Sequence, residues 1–316
     1  MARTAVYLGV DQTGAVKRRG QEAIYKPLPA ALIIPGQKQV LQVRVATKEG
    51  RKFGLSSFDA EEITSLLDAA VPRPGDVRIL VDCVLGLPSS MRRNDASIRD
   101  LLMRAALFDS RTKTPAGRER AAAFFSEILA ESKHRATPRE MWPLRHCERL
   151  LASNSVFQQH PFQKNIQSGT YRIWRDLGRF MSKPENASLR FWPHDFTESV
   201  LMRDGNSGPE MVIAEGYPSF YWRQLLGMRT RQPALLKNAL TSTASQIGWS
   251  VACEHWSLIE SDPDLADAVV LAMTAFVLDL SGQAFSRKMT AGTPEDFSAE
   301  FEGWIAGTQA DFFTAS

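Results

Sequence analysis

Apolar and polar positions near the N-terminus predict three short strands in succession. The run AVYLGVD (5–11) is short, largely β-branched or aromatic, and followed by a Gly-containing turn, which is typical of a buried strand. EAIYK and AALIIP predict a second strand with its extension. KQVLQVRVAT (38–47) alternates apolar Val43 and Val45 with polar neighbours, as a third strand does. Short turns between sequential strands indicate an antiparallel meander.

Helical and strand patterns alternate through the rest of the chain. FDAEEITSLLDAA opens with Asp59, a residue type preferred at helix N-caps, and VRILVD follows as a fourth strand. Residues 90–188 are mainly helical in pattern, ASLRFWP and MVIAE return to strand, and 263–280 has the strongest helical pattern. We therefore expect an α/β fold, with a mixed five-stranded sheet flanked by helices, in a single domain (1–316) that contains a helical insertion (90–188).

Composition and cysteine spacing narrow the class of protein. Of the 316 residues, 44% are hydrophobic and 23% are charged, which excludes disordered, collagen-like and low-complexity chains. Three widely spaced cysteines form no disulfide framework, and the five histidines show no paired metal-ligand spacing. The longest apolar run is too short to span a bilayer, and no signal pattern opens the sequence. We expect a cytoplasmic protein with no membrane partner.

Charge is distributed unevenly, although the net charge is only +3. Residues 88–150 contain 13 Lys/Arg against 8 Asp/Glu, and residues 151–190 contain 6 against 2. Residues 254–316 contain 2 basic against 11 acidic side chains. A basic region attracts phosphates, so the middle region is a candidate nucleic-acid surface. Solvated helix faces are the alternative interpretation of the same charges.

Acidic residues stand where predicted strands end and where the long C-terminal helix begins. Asp11, Asp82 and Glu215 each close an apolar strand-like run, and Asp264 and Asp267 lie three residues apart in the first turns of that helix. Side chains from neighbouring strand ends converge in α/β sheets, and clustered carboxylates repel one another unless a divalent cation neutralises them. Structural roles at a turn or near the helix dipole are the alternative for each acid. The set predicts a divalent-cation site.

At these residues the sequence resembles the prokaryotic family catalogued as domain of unknown function 429, whose members are predicted nucleases. The matching stretches, scattered over roughly 5–280, are YLGVDQTG, VDCVLGLP, AEGYPSFYWRQLLG and DPDLADAVVLAMTAF. The resemblance implies a ribonuclease H-like fold in which Asp11, Asp82 and Asp267 hold two Mg²⁺ or Mn²⁺ ions, with Asp264 or Glu215 completing the set. It gives Glu215 a catalytic role beside the three aspartates. This chain departs from many relatives in having Gln-Thr-Gly after Asp11.

Basic and aromatic residues of the middle region are candidates for substrate contacts. Arg92 and Arg93 follow the LGLPSSM turn, and Lys164, Arg172 and Arg175 lie in or beside IQSGTYRIW. Arginine next to aromatic rings suits phosphate contact and base stacking. The competing interpretation is an amphipathic helix whose aromatic face packs into the core.

Three functions stay open at this point. The leading hypothesis is a metal-dependent nuclease that hydrolyses phosphodiester bonds of DNA or RNA at a two-metal carboxylate site. A second is a non-catalytic ribonuclease H-like module that binds nucleic acid or protein. A third starts from GVDQTGAVK, which resembles the first phosphate loop of actin-like and sugar kinases, although the sequence has no second copy of such a core. The oligomeric state is open as well.

Overall fold

The structure, a computed structural model, describes residues 5–12, 15–19, 22–45, 47–48, 51–52, 54–71, 75–91, 97–132, 144–153, 155–157, 166–183, 189–196, 210–282, 285 and 299–308. Its strands are β1 (Val6–Val10), β2 (Val16–Arg19), β3 (Glu22–Tyr25), β4 (Leu28–Pro35), β5 (Val40–Val45), β6 (Thr47–Lys48), β7 (Arg51–Lys52), β8 (Gly54–Leu55), β9 (Val77–Val81), β10 (Leu189–Trp192), β11 (Met211–Glu215) and β12 (Ser250–Cys253). Its helices are α1 (Ala60–Ala70), α2 (Ile98–Arg111), α3 (Arg118–Glu131), α4 (His146–Leu151), α5 (Ile166–Met181), α6 (Pro218–Gln224), α7 (Leu236–Gln246), α8 (Trp256–Ser261), α9 (Pro263–Leu280) and α10 (Ala299–Glu302).

A mixed sheet of eight strands forms the centre of the fold. Its order is β10-β11-β9-β1-β4-β5-β12, and β8 also pairs with β4. Strands β1, β4 and β5 are antiparallel neighbours, whereas β9, β11 and β10 run parallel to β1 on its other side. The predicted α/β class, the mixed sheet and the antiparallel meander are therefore confirmed.

The predicted number of five strands is wrong, because ASLRFWP, itself predicted as a strand, joins the sheet as β10, and β8 and β12 were not predicted. β10 pairs with β11, and β12 pairs in parallel with β5 from Ser250 to Cys253. The sequence of β12, SVAC, has neither a long apolar run nor a strong alternation, so its pattern gave no strand prediction. EAIYK does not extend the second strand of the meander, because it forms β3 in a separate hairpin with β2.

The region between β9 and β10 is mainly helical where the structure describes it, and it shares a hydrophobic core with the sheet. Within this insertion, the rings of Phe124 on α3 and Trp174 on α5 meet edge to face, with centroids 6.2 Å apart. The indole Nε1 of Trp174 donates a 2.6 Å hydrogen bond to the backbone oxygen of Val84, just beyond the end of β9. Helix α5 is thereby held beside that strand end.

Helix α9 lies directly against strand β1 because Gly9 leaves room for it. A Cβ atom at position 9 would lie 1.9 Å from the backbone oxygen of Ala268 and 2.5 Å from the backbone nitrogen of Ala272. Every α9 residue from Leu265 to Leu278 is buried. The close approach fixes the first turns of α9 relative to the end of β1. Of the helices that the structure describes, none combines the length and the apolarity needed to cross a bilayer.

Candidate functional site

Two of the predicted acids follow neighbouring parallel strands at the same edge of the sheet. Val10 of β1 lies opposite Val81 of β9, so Asp11 and Asp82 come next in the two strands. The Asp82 N–H donates a 2.9 Å hydrogen bond to the Val10 oxygen and continues the ladder by one step. Glu215 ends β11 opposite Val81. The carboxyl ends of three adjacent strands therefore bring these acids together, as the sequence predicted.

The carboxyl groups of Asp11 and Asp82 are close enough for each to alter the pKa of the other. Burial raises the pKa of Asp11 well above its ordinary value, and the negative charges of Asp82, Asp267 and Asp264 raise it further. Burial and the charge of Asp267 raise the pKa of Asp82 to about 7, although the hydrogen bond from Asp11 opposes that rise. Since two adjacent carboxylates cannot both ionise cheaply, the pair favours a state in which one proton is held between them.

Asp267 adds a third carboxylate from the side of helix α9. It is fully buried, and the indole Nε1 of Trp222 donates a 2.6 Å hydrogen bond to its Oδ1. The guanidinium Nη1 of Arg231 lies 2.6 Å from its Oδ2. Burial raises the pKa of Asp267 to about 6, although Arg231 and Trp222 act in the opposite direction. Asp264, one turn earlier, is exposed.

A cavity of about 250 Å³ opens at this edge of the sheet. Five acids and two arginines are among the residues that line it: Asp11, Asp82, Glu148, Glu215, Asp264, Arg145 and Arg231. Gln12 lines it too, and the buried Oε1 atom of its amide has no hydrogen-bond partner. The cavity is therefore rich in oxygen atoms and carries more negative than positive groups.

Glu215 reaches the cavity, and its carboxylate is already neutralised. Arg145 donates to both of its oxygens, at 2.5 Å and 2.6 Å, and the Leu85 N–H donates to Oε2 at 2.7 Å. The same guanidinium donates to Glu148 at 2.9 Å. All three charged side chains are buried. Glu215 thus lies among the predicted site residues, with a structural partner that the sequence did not indicate.

The arginines predicted to contact substrate on α5 are buried away from the cavity. Arg172 donates to the backbone oxygens of Lys26 at 2.5 Å and Ser56 at 2.7 Å, and burial lowers its pKa to about 10. Arg175 pairs with Asp176, its neighbour in the helix. The substrate role of these two arginines is corrected to a structural one, because their guanidinium groups are enclosed and engaged. Arg92, Arg93 and Lys164 lie outside the described residues.

Sequence reasoning missed four cavity or support residues: Arg145, Glu148, Trp222 and Arg231. Arg145 and Glu148 lie in HCERLL and just before it, where nothing marks them as partners of a strand-end glutamate. Trp222 belongs to a run of aromatic residues on α6, which has no sequence feature that marks a partner for an acid. Arg231 lies in an exposed loop. Arg145, Trp222 and Arg231 act through contacts distant in sequence, which local patterns do not report, and Glu148 joins the site through Arg145.

The carboxylate and amide oxygens at the cavity suit a hard divalent cation, although they are not arranged around a single ion position. Carboxylate and amide oxygens are the ligands that Mg²⁺ and Mn²⁺ prefer. In the part of the chain that the structure describes, no group of three or more His, Cys, Asp or Glu side chains is arranged to hold a metal ion. The proton between Asp11 and Asp82 and the guanidinium beside Asp267 occupy the positions where positive charge is needed. A cation can therefore bind only if the proton leaves the Asp11–Asp82 pair and the Arg231 guanidinium moves away from Asp267.

Two buried oxygen atoms without hydrogen-bond partners, one on Gln12 and one on Asp267, also favour a bound cation. Gln12 Oε1 is buried without a hydrogen-bond partner, and so is Asp267 Oδ2, whose ion pair with Arg231 lacks hydrogen-bond geometry. Buried acceptors without donors are costly unless a ligand completes them.

The resemblance to a nuclease family stays a prediction, because no family model, no curated protein and no solved structure matches this chain.

Proposed function

We propose that this protein is a divalent-metal-dependent hydrolase of phosphodiester bonds in nucleic acid. The observation that carries the proposal is the convergence of Asp11, Asp82 and Asp267 from two adjacent strand ends and one helix, with Asp11 and Asp82 lining a cavity and Asp267 buried behind Arg231, which also lines it. Burial, together with the negative charge of neighbouring acids, raises the pKa of each of the three, as is typical of carboxyl groups enclosed near one another. Strained clusters of titratable groups are more frequent at functional sites than elsewhere.

The order of the strands supports a ribonuclease H-like fold for this chain. In the central part of the sheet, β5, β4 and β1 form the antiparallel meander, and β9 and β11 continue it in parallel with β1. Asp11 then follows the first strand of this core, Asp82 the fourth, and Asp267 lies on the long closing helix. These are the three places where the resemblance puts metal ligands. We propose this fold on the basis of strand order and direction.

The residues of the chain would hold and orient the reacting groups. Trp222 fixes Oδ1 of Asp267 and leaves Oδ2 for a cation, and Asp11 and Asp82 present oxygens from the sheet edge. Two bound divalent cations would activate the attacking water and stabilise the leaving oxygen. Hydrolysis forms a bond from the water oxygen to phosphorus and breaks the bond from phosphorus to the leaving oxygen, which takes up a proton. Asp264 stands exposed at the mouth and can add a further oxygen ligand.

A non-catalytic binding module is the second candidate. The observation that favours it is the partial charge balance already present, since one proton on the Asp11–Asp82 pair and Arg231 beside Asp267 offset two of the three negative charges without a cation. Such a module would bind nucleic acid or protein with no dependence on divalent metal. A cleavage assay separates the two candidates.

The test is cleavage of labelled single- and double-stranded DNA and RNA with Mn²⁺, Mg²⁺ or EDTA. We expect Mn²⁺-dependent cleavage by the wild type and a loss of about 100-fold or more in Asp82→Asn and Asp267→Asn. Asp279→Asn is the matched control, because Asp279 lies on the same helix and contacts Tyr7 and Arg78 instead. Cleavage that is equal in wild type, Asp82→Asn and Asp267→Asn would contradict the proposal.

A further inference from the structure

Two arginines line the cavity, and the structure holds them in different ways. Arg145 is buried and donates to Glu148, to both oxygens of Glu215 and to a backbone oxygen. The Arg231 side chain is 43% exposed, with Nη1 2.6 Å from Asp267 Oδ2 and Nη2 donating a 3.0 Å hydrogen bond to the Ser219 hydroxyl. Of the two, Arg231 is the one that can leave without opening the core.

The contact between Arg231 and Asp267 is a charge pair without hydrogen-bond geometry. Trp222 occupies Oδ1 of Asp267, which fixes the orientation of the carboxylate. Oδ2 is buried, faces the guanidinium and has no hydrogen-bond partner. Because a buried carboxylate is costly to leave without a counter-charge, the guanidinium can leave Oδ2 only when another positive group takes its place. The carboxylate therefore stays in place and available when Arg231 moves.

We propose that Arg231 is a displaceable counter-ion that neutralises Asp267 in the metal-free protein and binds a phosphate oxygen of the substrate once a cation is bound. This inference rests on the proposed function. A guanidinium 2.6 Å from Oδ2 occupies the space of a cation ligated by that oxygen, and two positive groups there repel each other. Arg231 must then turn away from Asp267.

The released guanidinium would remain at the mouth of the cavity. Ser219, its second partner, also lines the cavity, and residues 229–232 of the connecting loop are exposed. The planar fork of arginine matches two oxygens of a phosphate, which makes it suited to the phosphodiester backbone. Arg231 would bind the phosphate while the acids hold the cations. The same side chain would thus pair with Asp267 in the metal-free site and with the substrate in the cation-bound site.

The first test is the affinity for Mn²⁺ alone, measured by isothermal titration calorimetry on the full chain. Arg231→Gln removes the competing charge, and we expect it to bind Mn²⁺ at least about 10-fold more tightly than the wild type. Arg229→Gln is the matched control, since Arg229 is exposed on the same loop and lies outside the cavity lining. Its affinity should equal that of the wild type.

The second test is binding of a fluorescein-labelled oligonucleotide in Ca²⁺, followed by anisotropy. Arg231→Gln should bind the oligonucleotide about 10-fold more weakly despite its stronger cation binding, and Arg231→Lys should lie between the two because it keeps charge without the fork. Unchanged or weaker Mn²⁺ affinity in Arg231→Gln would overturn the inference and leave the proposed function standing. Absence of Mn²⁺ binding in both wild type and Arg231→Gln would overturn the proposed function itself.

Discussion

The indole Nε1 of Trp222 donates a 2.6 Å hydrogen bond to Oδ1 of Asp267, and both side chains are buried. Trp222 belongs to helix α6, which follows β11, and Asp267 belongs to the long helix α9. The contact joins the two helices beside the sheet edge and orients the carboxylate toward Arg231. The geometry of the candidate site therefore depends on a residue that is not among those lining the cavity.

Replacing Trp222 by Phe should remove this hydrogen bond while it keeps an aromatic ring in the core. The free energy of unfolding should fall by about 1.5–3 kcal/mol, the usual contribution of a hydrogen bond to a charged group. Trp249→Phe, at a partly buried tryptophan that packs edge to face on Phe276, serves as the control for loss of indole area. Urea unfolding measures both, and an equal loss in the two variants would refute a specific role for the bond.

The shared proton between Asp11 and Asp82 should make stability depend on pH. The pKa of Asp82 is raised from 3.8 to about 7, and that of Asp267 is raised from 3.8 to about 6. Between the ordinary and the raised pKa of each group, the folded state binds more protons than the unfolded state. Stability in EDTA should thus be highest near pH 4 and fall as pH rises toward about 7. Asp82→Asn should flatten this slope, whereas Asp68→Asn, at an exposed acid on α1, should leave it unchanged. Urea titrations at pH 5, 6, 7 and 8 give the slope, and a rise in stability over this range would show that the sign is wrong.

Arg145 should be essential for stability, because it neutralises two buried glutamates. Arg145→Met leaves Glu148 and Glu215 enclosed without a counter-charge, and the expected loss is about 3–5 kcal/mol. Arg149→Met, on the same helix with an exposed side chain, should cost less than about 1 kcal/mol. Adding Glu215→Gln to Arg145→Met should recover part of the loss. Denaturant unfolding of the four proteins measures this, and a loss below about 1 kcal/mol in Arg145→Met would exclude the role.

Gly9 should tolerate no side chain, because helix α9 lies against it. A methyl group there would lie 1.9 Å from the Ala268 oxygen, so the helix must move away from β1 and carry Asp267 with it. We expect Gly9→Ala to lose about 3 kcal/mol or more. In Gly36→Ala, where the nearest atom is 3.2 Å from the new Cβ, the loss should be small. Thermal unfolding compares the two, and similar melting temperatures would mean that the close approach is not required.

Much of the fold was predictable because its signals are local. The apolar runs that end at Asp11, Asp82 and Glu215 predicted buried strands, and the structure places all three runs as neighbours in one sheet. Asp59 was predicted as a helix N-cap, and its carboxylate accepts a 3.0 Å hydrogen bond from the Glu62 N–H. Helix α9 has the bounds that its apolar pattern predicted. Hydrophobic periodicity and capping chemistry are sufficient for such elements.

The remaining features depend on tertiary contacts. Strand β12 is held by pairing with β5 rather than by its own sequence. The arginines of IQSGTYRIWR looked like phosphate ligands, yet the fold encloses them against backbone oxygens and an aspartate. Arg145 and Arg231 pair with acids that are 70 and 36 residues away along the chain. A local pattern identifies a charged side chain and does not identify its partner.

The most direct test of the account is thermal unfolding at increasing Mn²⁺ concentration, with wild type and Asp11→Asn compared. At about 100-fold excess over Kd, the wild type should gain roughly 2–3 kcal/mol, a rise of about 5 °C in Tm. Asp11→Asn should lose this response and, with carboxylate repulsion relieved, melt at or above the wild-type temperature in EDTA. A wild type whose Tm does not change with Mn²⁺, or an Asp11→Asn variant that keeps the full response, would contradict the assignment of these acids as a divalent-cation site.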